Sequence, residues 1–175
     1  MRKRALLLPF ALALSGALSA CGLQPMYAGG ASSPVSQGLA EIEVAPIEGK
    51  AGWLMRNALI DRLNPGGSPA GPTSRYRLDV RLDDSLQGLG LLSNDTISRE
   101  RRTLRARYQL VDRGSGEIVV DATAGSDAGI DVVSSEYATI AAEQTALENL
   151  SREVADRIVT KLALQFRPDA QTAGQ

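Results

Sequence analysis

An α+β fold, a two-layer sandwich in which two helices cover one face of a four-stranded mixed sheet, is predicted by three features of the sequence. Runs such as Arg75 to Asp83 alternate apolar and charged residues with the period of two that marks a half-buried strand. A long run from Glu136 to Leu164 spaces its apolar residues as an amphipathic helix does. The order of elements is strand, helix, three strands, helix. A strand-helix-strand opening favours a parallel crossover, and the two hairpins after it favour antiparallel pairing. With both helices on one side, the opposite face of the sheet stays open.

The first twenty residues read as a secretory signal. Met1-Arg-Lys-Arg4 is basic, Ala5 to Leu14 is apolar, and Leu18-Ser19-Ala20 places small residues before Cys21. The apolar run is too short to span a bilayer, which takes roughly 20 residues. Leu, two small residues and Cys form a bacterial lipobox, and Cys21 is the only cysteine in the chain. Such a cysteine carries a diacylglycerol thioether and an acylated amine. At about 0.8 kcal/mol per buried methylene, two or three acyl chains hold a protein on a membrane where one does not. Residues 21–40 follow, with Gly22 to Ala40 rich in Gly, Ser, Ala and Pro and without charge, and read as a flexible tether. Fully extended it reaches about 60 Å.

A single domain is expected over 41–166. Glu41 to Ile47 alternates around Ile42 and Val44 and is the first strand. After a turn at Gly49 to Gly52, a helix is expected from Trp53 to Asn64, with Leu54, Met55, Ala58, Leu59 and Leu63 on its apolar arc and Asn64-Pro65-Gly66-Gly67 as its stop. Arg75 to Asp83 is the second strand, its inner face Tyr76, Leu78, Val80 and Leu82. The third spans Thr96 to Asp112. Leu104, Ala106, Tyr108 and Leu110 continue its inner face, but the same phase backwards meets Ser98, Glu100 and Arg102, so the strand must outrun the core or bulge before Thr103. Asp112 to Gly116 turns the chain into a fourth strand with Ile118, Val120, Ala122 and Ala124 inward, and Gly125 to Asp131 is expected as a loop. Ser134 or Ser135 caps the last helix, whose stripe runs through Tyr137, Ile140, Ala141, Gln144, Leu147, Leu150, Val154, Ile158 and Leu162. The tail, 167–175, is polar.

Composition removes whole classes of function. The chain has no His and no Cys besides Cys21, which excludes His triads, thiol nucleophiles, disulfides and zinc sites built on nitrogen and sulfur. Cutting before Cys21 takes away three basic residues and no acid, leaving 16 basic against 20 acidic and a net charge of −4. General nucleic-acid binding is not expected of such a chain. No paired-carboxylate or Ser-Lys site stands out, and neither an enzyme nor a cofactor is expected. With aromatics at 4%, the core must be built of Leu, Val, Ile and Ala.

Two constellations remain. Arg75, Arg77 and Arg81 on the second strand and Arg101, Arg105 and Arg107 on the third point away from the helices, and if the strands are neighbours they form a comb. Guanidinium groups bind phosphate through a planar fork of donors. The comb is either a site for anionic sugar phosphates or acidic partner loops, or a solvated face balanced by Asp79 and Asp83. At one end of the sheet, Leu86-Gln-Gly-Leu-Gly-Leu-Leu92 makes an apolar tip through Leu89, Leu91 and Leu92, with Arg99, Arg101 and Arg102 beside it. Leucines next to arginines suit an amphiphile with acyl chains and phosphates, or a protein partner; alternatively they tuck under the sheet as a satellite core.

Cys21-Gly-Leu-Gln-Pro-Met-Tyr27, Trp53-Leu-Met-Arg-Asn-Ala-Leu59 with Asp61-Arg-Leu-Asn-Pro65, Tyr76-Arg-Leu-Asp-Val80, Arg102-Thr-Leu-Arg-Ala-Arg-Tyr-Gln-Leu110 and Ser134-Ser-Glu-Tyr137, taken in this order, resemble the LPS-assembly lipoprotein family LptE of Gram-negative bacteria, in particular its alphaproteobacterial members. The resemblance covers nearly the whole chain after Cys21. It implies two helices on a four-stranded sheet and no catalysis. It also implies an outer-membrane lipoprotein of the periplasmic leaflet that assists assembly of the β-barrel translocon LptD, plugs it, and helps deliver lipopolysaccharide to the outer leaflet. Gly22 behind the lipidated cysteine, in place of Asp, resembles the outer-membrane sorting signal. The competing expectation is a lipid-anchored accessory factor of another outer-membrane machine, for barrel insertion or lipoprotein transfer.

Overall fold

The sheet runs in the order β1-β2-β3-β4, with β1 (Ile42–Val44) parallel to β2 (Tyr76–Leu91), and β3 (Ile97–Asp112) antiparallel to both β2 and β4 (Ile118–Asp131). The computed structural model describes residues 33–65, 67–91 and 97–167. The expected signal sequence, Cys21, Leu92 and the tail beyond Arg167 lie outside the described residues. Three helices, α1 (Pro34–Ala40), α2 (Gly49–Leu63) and α3 (Glu136–Gln165), complete the fold. The expected α+β class, four-stranded mixed sheet and parallel opening are all present, with one helix more than expected.

That extra helix replaces the end of the expected tether. Ser33 caps it, its hydroxyl accepting from the Ser36 amide at 3.1 Å, and Pro34 occupies the first turn, where no intrahelical donor is needed. Val35 and Leu39 are buried in the core. Gly38 permits the contact, because a Cβ there would lie 2.5 Å from the Phe166 ring. Phe166 in turn meets Tyr76 edge-on, with ring centroids 5.4 Å apart.

α2 begins four residues before the expected Trp53. The two glycines taken for a turn serve different ends. Gly49, at φ 78°, turns the chain into the helix, and Gly52 lets the helix approach Ile47, whose carbonyl oxygen would lie 2.5 Å from a Cβ at that position. Met55, Ala58, Leu59 and Leu63 are buried, and Asn64 closes the helix before Pro65.

Both hairpins are longer than the apolar pattern indicates. β2 and β3 pair from Tyr76↔Asp112 to Leu91↔Ile97, so the expected tip at Leu86 to Leu91 is strand. β4 continues to Asp131, and the expected Gly125 to Asp131 loop is likewise strand. β3 outruns the core without a bulge on its β2 side. Of the polar inner residues of this outer half, Arg102 and Asp84 are matched with each other, while Glu100 keeps one buried carboxylate oxygen without a hydrogen-bond partner among the described residues. Arg102 donates to both Asp84 carboxylate oxygens, at 2.8 and 2.6 Å, and to the Glu143 carbonyl of α3 at 3.0 Å. The register shift falls instead at Leu110/Val111, where Leu110 pairs with Val120 and Val111 with Ile118. The residue between, Val119, packs on the core beside Val120, and Ile118, expected inside, is 49% exposed.

Leu147, Leu150, Val154, Ile158 and Leu162 of α3 are buried, but Tyr137, Ile140, Ala141 and Gln144 from the same stripe are exposed. The reason is a mismatch in length. Leu54 lies beside Glu148 and Arg152 while Arg62 pairs with Asp156, so the two helices run parallel and α3 starts roughly three turns ahead of α2. Among the described residues, those turns have no helical neighbour.

Candidate anion-binding face

Strand alternation sends every odd-numbered residue of β2 and β3 to the face without helices. Arg77 and Arg81 from β2, with Arg75 just before it, and Arg99, Arg101, Arg105 and Arg107 from β3 are all exposed there, on neighbouring strands. Leu89 is half-buried on the same face, and the backbone of Leu91 ends β2. Arg102, which the sequence sets beside the tip, turns to the helix side.

Five of these seven arginines are neutralised within the sheet. Arg75 pairs with Asp112 at 3.1 Å, Arg77 with Asp79 at 2.8 Å, Arg99 with Asp131 at 3.0 Å, Arg101 with Asp127 at 3.8 Å and Arg107 with Asp121 at 3.1 Å. The Arg107 contact and a Gln109 amide at 2.9 Å hold the Asp121 carboxyl below its ordinary range. Asp112 is lowered chiefly by the Gly114 N–H, with Arg75 adding to it, and Asp112 thereby ties the β3–β4 turn to the edge of the comb. Arg75 and Arg107 are raised, first of all by their hydrogen bonds to these carboxylates.

Arg81 and Arg105 differ. Neither has a carboxylate within ion-pair reach among the described residues, although Asp83 stands opposite Arg105 in the register. Arg81 stands opposite Arg107, and like charges at directly paired positions repel. A groove of about 500 Å³ runs past Arg81, Arg105 and Arg107, with Thr103 and Thr123 adding hydroxyls. A second, of about 610 Å³, opens where Pro46 leads the chain off β2 and is lined by Arg81, Arg107 and Gln109. Arg81 and Arg107 form the ridge between the two. Two guanidinium groups without carboxylate partners, beside hydroxyl donors in an open trough, suit an anion with several oxygens, such as a phosphate.

The counter-charges of β4 escape the sequence reading because Gly125 to Asp131 looks like a loop. Asp121, Thr123, Gly125, Asp127, Gly129 and Asp131 nevertheless alternate with Ala122, Ala124, Ser126, Ala128 and Ile130, and that period of two is the signal of an outward polar face. Arg157 was also outside the expected site. It reaches from α3 around the sheet edge to the Gly125 carbonyl, and it forms one wall of the groove.

The lipopolysaccharide-assembly family model LptE matches residues 39–162, most of the chain and all four strands. The chain belongs to the LptE family. A Caulobacter crescentus CB15 protein solved as a candidate lipoprotein is 30% identical, with a TM-score of 0.59 over 75% of this chain and 94% of that one. Two further structures share the fold at lower identity. Rare lipoprotein B from Shewanella oneidensis is 12% identical, with a TM-score of 0.53 over 71% of this chain and 94% of that one. A minor lipoprotein from Acinetobacter baumannii is 15% identical, with a TM-score of 0.52 over 70% and 95%. No curated protein matches in sequence. As an LptE-family chain, it has a role in lipopolysaccharide assembly. No helix among the described residues is long and apolar enough to cross a membrane.

Proposed function

We propose that this LptE-family chain is held at the periplasmic face of the outer membrane by acyl groups on Cys21, joins the barrel LptD as a non-catalytic plug and assembly partner, and contacts lipopolysaccharide on its open sheet face during delivery to the outer leaflet. The observation that carries the lipid contact is the Arg81 and Arg105 pair, two exposed guanidinium groups without ion-paired carboxylates among the described residues, in a trough of about 500 Å³. Lipopolysaccharide is phosphate-rich, and a phosphate beside Arg81 replaces a repulsion with an attraction. Five neighbouring arginines already hold carboxylates and gain less from a new anion.

The test is a comparison of charge reversals in lipopolysaccharide binding. Arg81→Glu with Arg105→Glu is expected to weaken binding about tenfold or more, as the loss of charge-assisted hydrogen bonds implies. Arg152→Glu on the exposed side of α3 serves as the control, with little effect expected. Equal losses from both variants mean that the comb serves only solvation. Depletion of the chain without a change in surface lipopolysaccharide overturns the wider reading.

A further inference from the structure

β1 covers only the first part of the β2 edge. Their ladder runs from Ile42↔Tyr76 to Val44↔Leu78, with a last bond from the Ala45 N–H to the Leu78 carbonyl. The Tyr76 N–H donates to the Glu41 carbonyl, so even-numbered residues of β2 direct their backbone groups to this edge, and odd-numbered ones direct theirs to β3. Beyond Leu78, Val80, Leu82, Asp84, Leu86 and Gly88 present N–H and C=O outward. Among the described residues no backbone group takes them. From Val80 to Leu91 the free edge is about 40 Å long.

Proteins usually guard such edges with lysine, proline, bulges or a covering side chain. The opposite edge is guarded, since β4 is bulged at Val119 and Arg157 caps the Gly125 carbonyl. The β2 edge has no Lys, no Pro and an unbroken register with β3 from Tyr76 to Leu89. Its helix-side charge, Asp84, is already neutralised by Arg102. On that side of the sheet Leu86 is 43% exposed, and the leading turns of α3 expose Ile140 and Tyr137 where α2 does not reach. A strand added to this edge sends every second side chain toward those apolar groups.

We infer that the β2 edge from Val80 to Leu91 is a strand-addition site that takes an extended segment of the partner barrel's chain; this rests on the barrel partnership proposed above. Alternating donors and acceptors along one line are matched only by extended polypeptide. A helix has satisfied its own backbone, and a lipid headgroup phosphate offers acceptors without donors. Before a β-barrel closes, its chain offers extended segments whose backbone is still unpaired and whose apolar residues alternate, which is the period that this edge and its apolar flank require.

Proline at Leu86 removes one outward N–H, while the odd-numbered residues keep the ladder to β3. The test is performed on the full lipidated chain in membranes, with benzoylphenylalanine at Gln87 for photocrosslinking and at Thr123 beside the guarded edge as a control. The expected result is a barrel adduct from Gln87 that exceeds the Thr123 adduct. Leu86→Pro is expected to lower it about tenfold, and Leu86→Ala much less. A barrel that co-purifies but crosslinks equally from both positions overturns the edge site and leaves the partnership standing. So does an adduct undiminished by Leu86→Pro, or one between two copies of this chain. If no barrel co-purifies with the unsubstituted chain, the partnership fails and the inference with it.

Discussion

Arg102 shows how one residue makes the outer half of the hairpin foldable. It lies on the inner face of β3 beyond the last core residue, Leu104, where the alternation places charge under the helix. Asp84 and the Glu143 carbonyl receive its guanidinium, joining two strands and α3 at one point, and the Asp84 hydrogen bond is the first cause of its raised pKa. Both side chains are mostly covered, at 15% and 25% exposure. Arg102→Met is therefore expected to cost about 1–3 kcal/mol in chemical denaturation, because the carboxylate loses its partner in a half-buried position. Arg102→Met combined with Asp84→Leu is expected to recover most of that loss, since removal of both charges leaves nothing unpaired. A double variant no more stable than the single one contradicts this account.

Among the elements, α1 was hidden by its composition. Gly38 and the uncharged residues around it resemble a linker, and seven residues carry little helical signal of their own. What makes them a helix is the core under Val35 and Leu39 and the space that Gly38 leaves for Phe166. Alanine at position 38 gains about 1 kcal/mol of helix propensity, but it drives a methyl into a ring packed between α1 and Tyr76, at a typical cost of 1–3 kcal/mol for overpacking. The second effect is expected to win, with Gly38→Ala lowering the denaturation midpoint. A raised midpoint means that the ring moves aside freely. The same logic explains α2, whose first turn is made of residues that read as a break. By contrast, the central strands and the buried half of α3 were legible, because Leu78, Val80, Leu104, Tyr108, Leu110, Val154 and Ile158 keep their period without interruption.

For the whole molecule, the seven open-face arginines share one face because alternation fixes the side on which a strand residue stands. Which of them retain free charge could not be read from the chain, since their acidic partners come largely from β4 and the turn before it, up to 37 residues away in sequence. In the proposed function, attachment follows a different route, through Cys21 and the chain that joins it to α1. Two or three acyl chains bind a membrane strongly, and no helix among the described residues is long and apolar enough to cross one. Cys21→Ala is accordingly expected to move the protein from the membrane to the soluble periplasmic fraction on cell fractionation. A variant that stays with the membrane shows that another contact, such as the barrel, is sufficient for retention.

The sequence by itself determined the class, the order of the strands along the chain and the inward residues of the central strands, since each is a local pattern of period or spacing. Tertiary structure alone decided the length of the hairpins, the helix made from a linker-like segment, the two arginines left without carboxylates and the unpaired edge of β2. These depend on which residues become neighbours across the sheet, and pairing between distant segments is set by packing and register rather than by the local pattern of either segment.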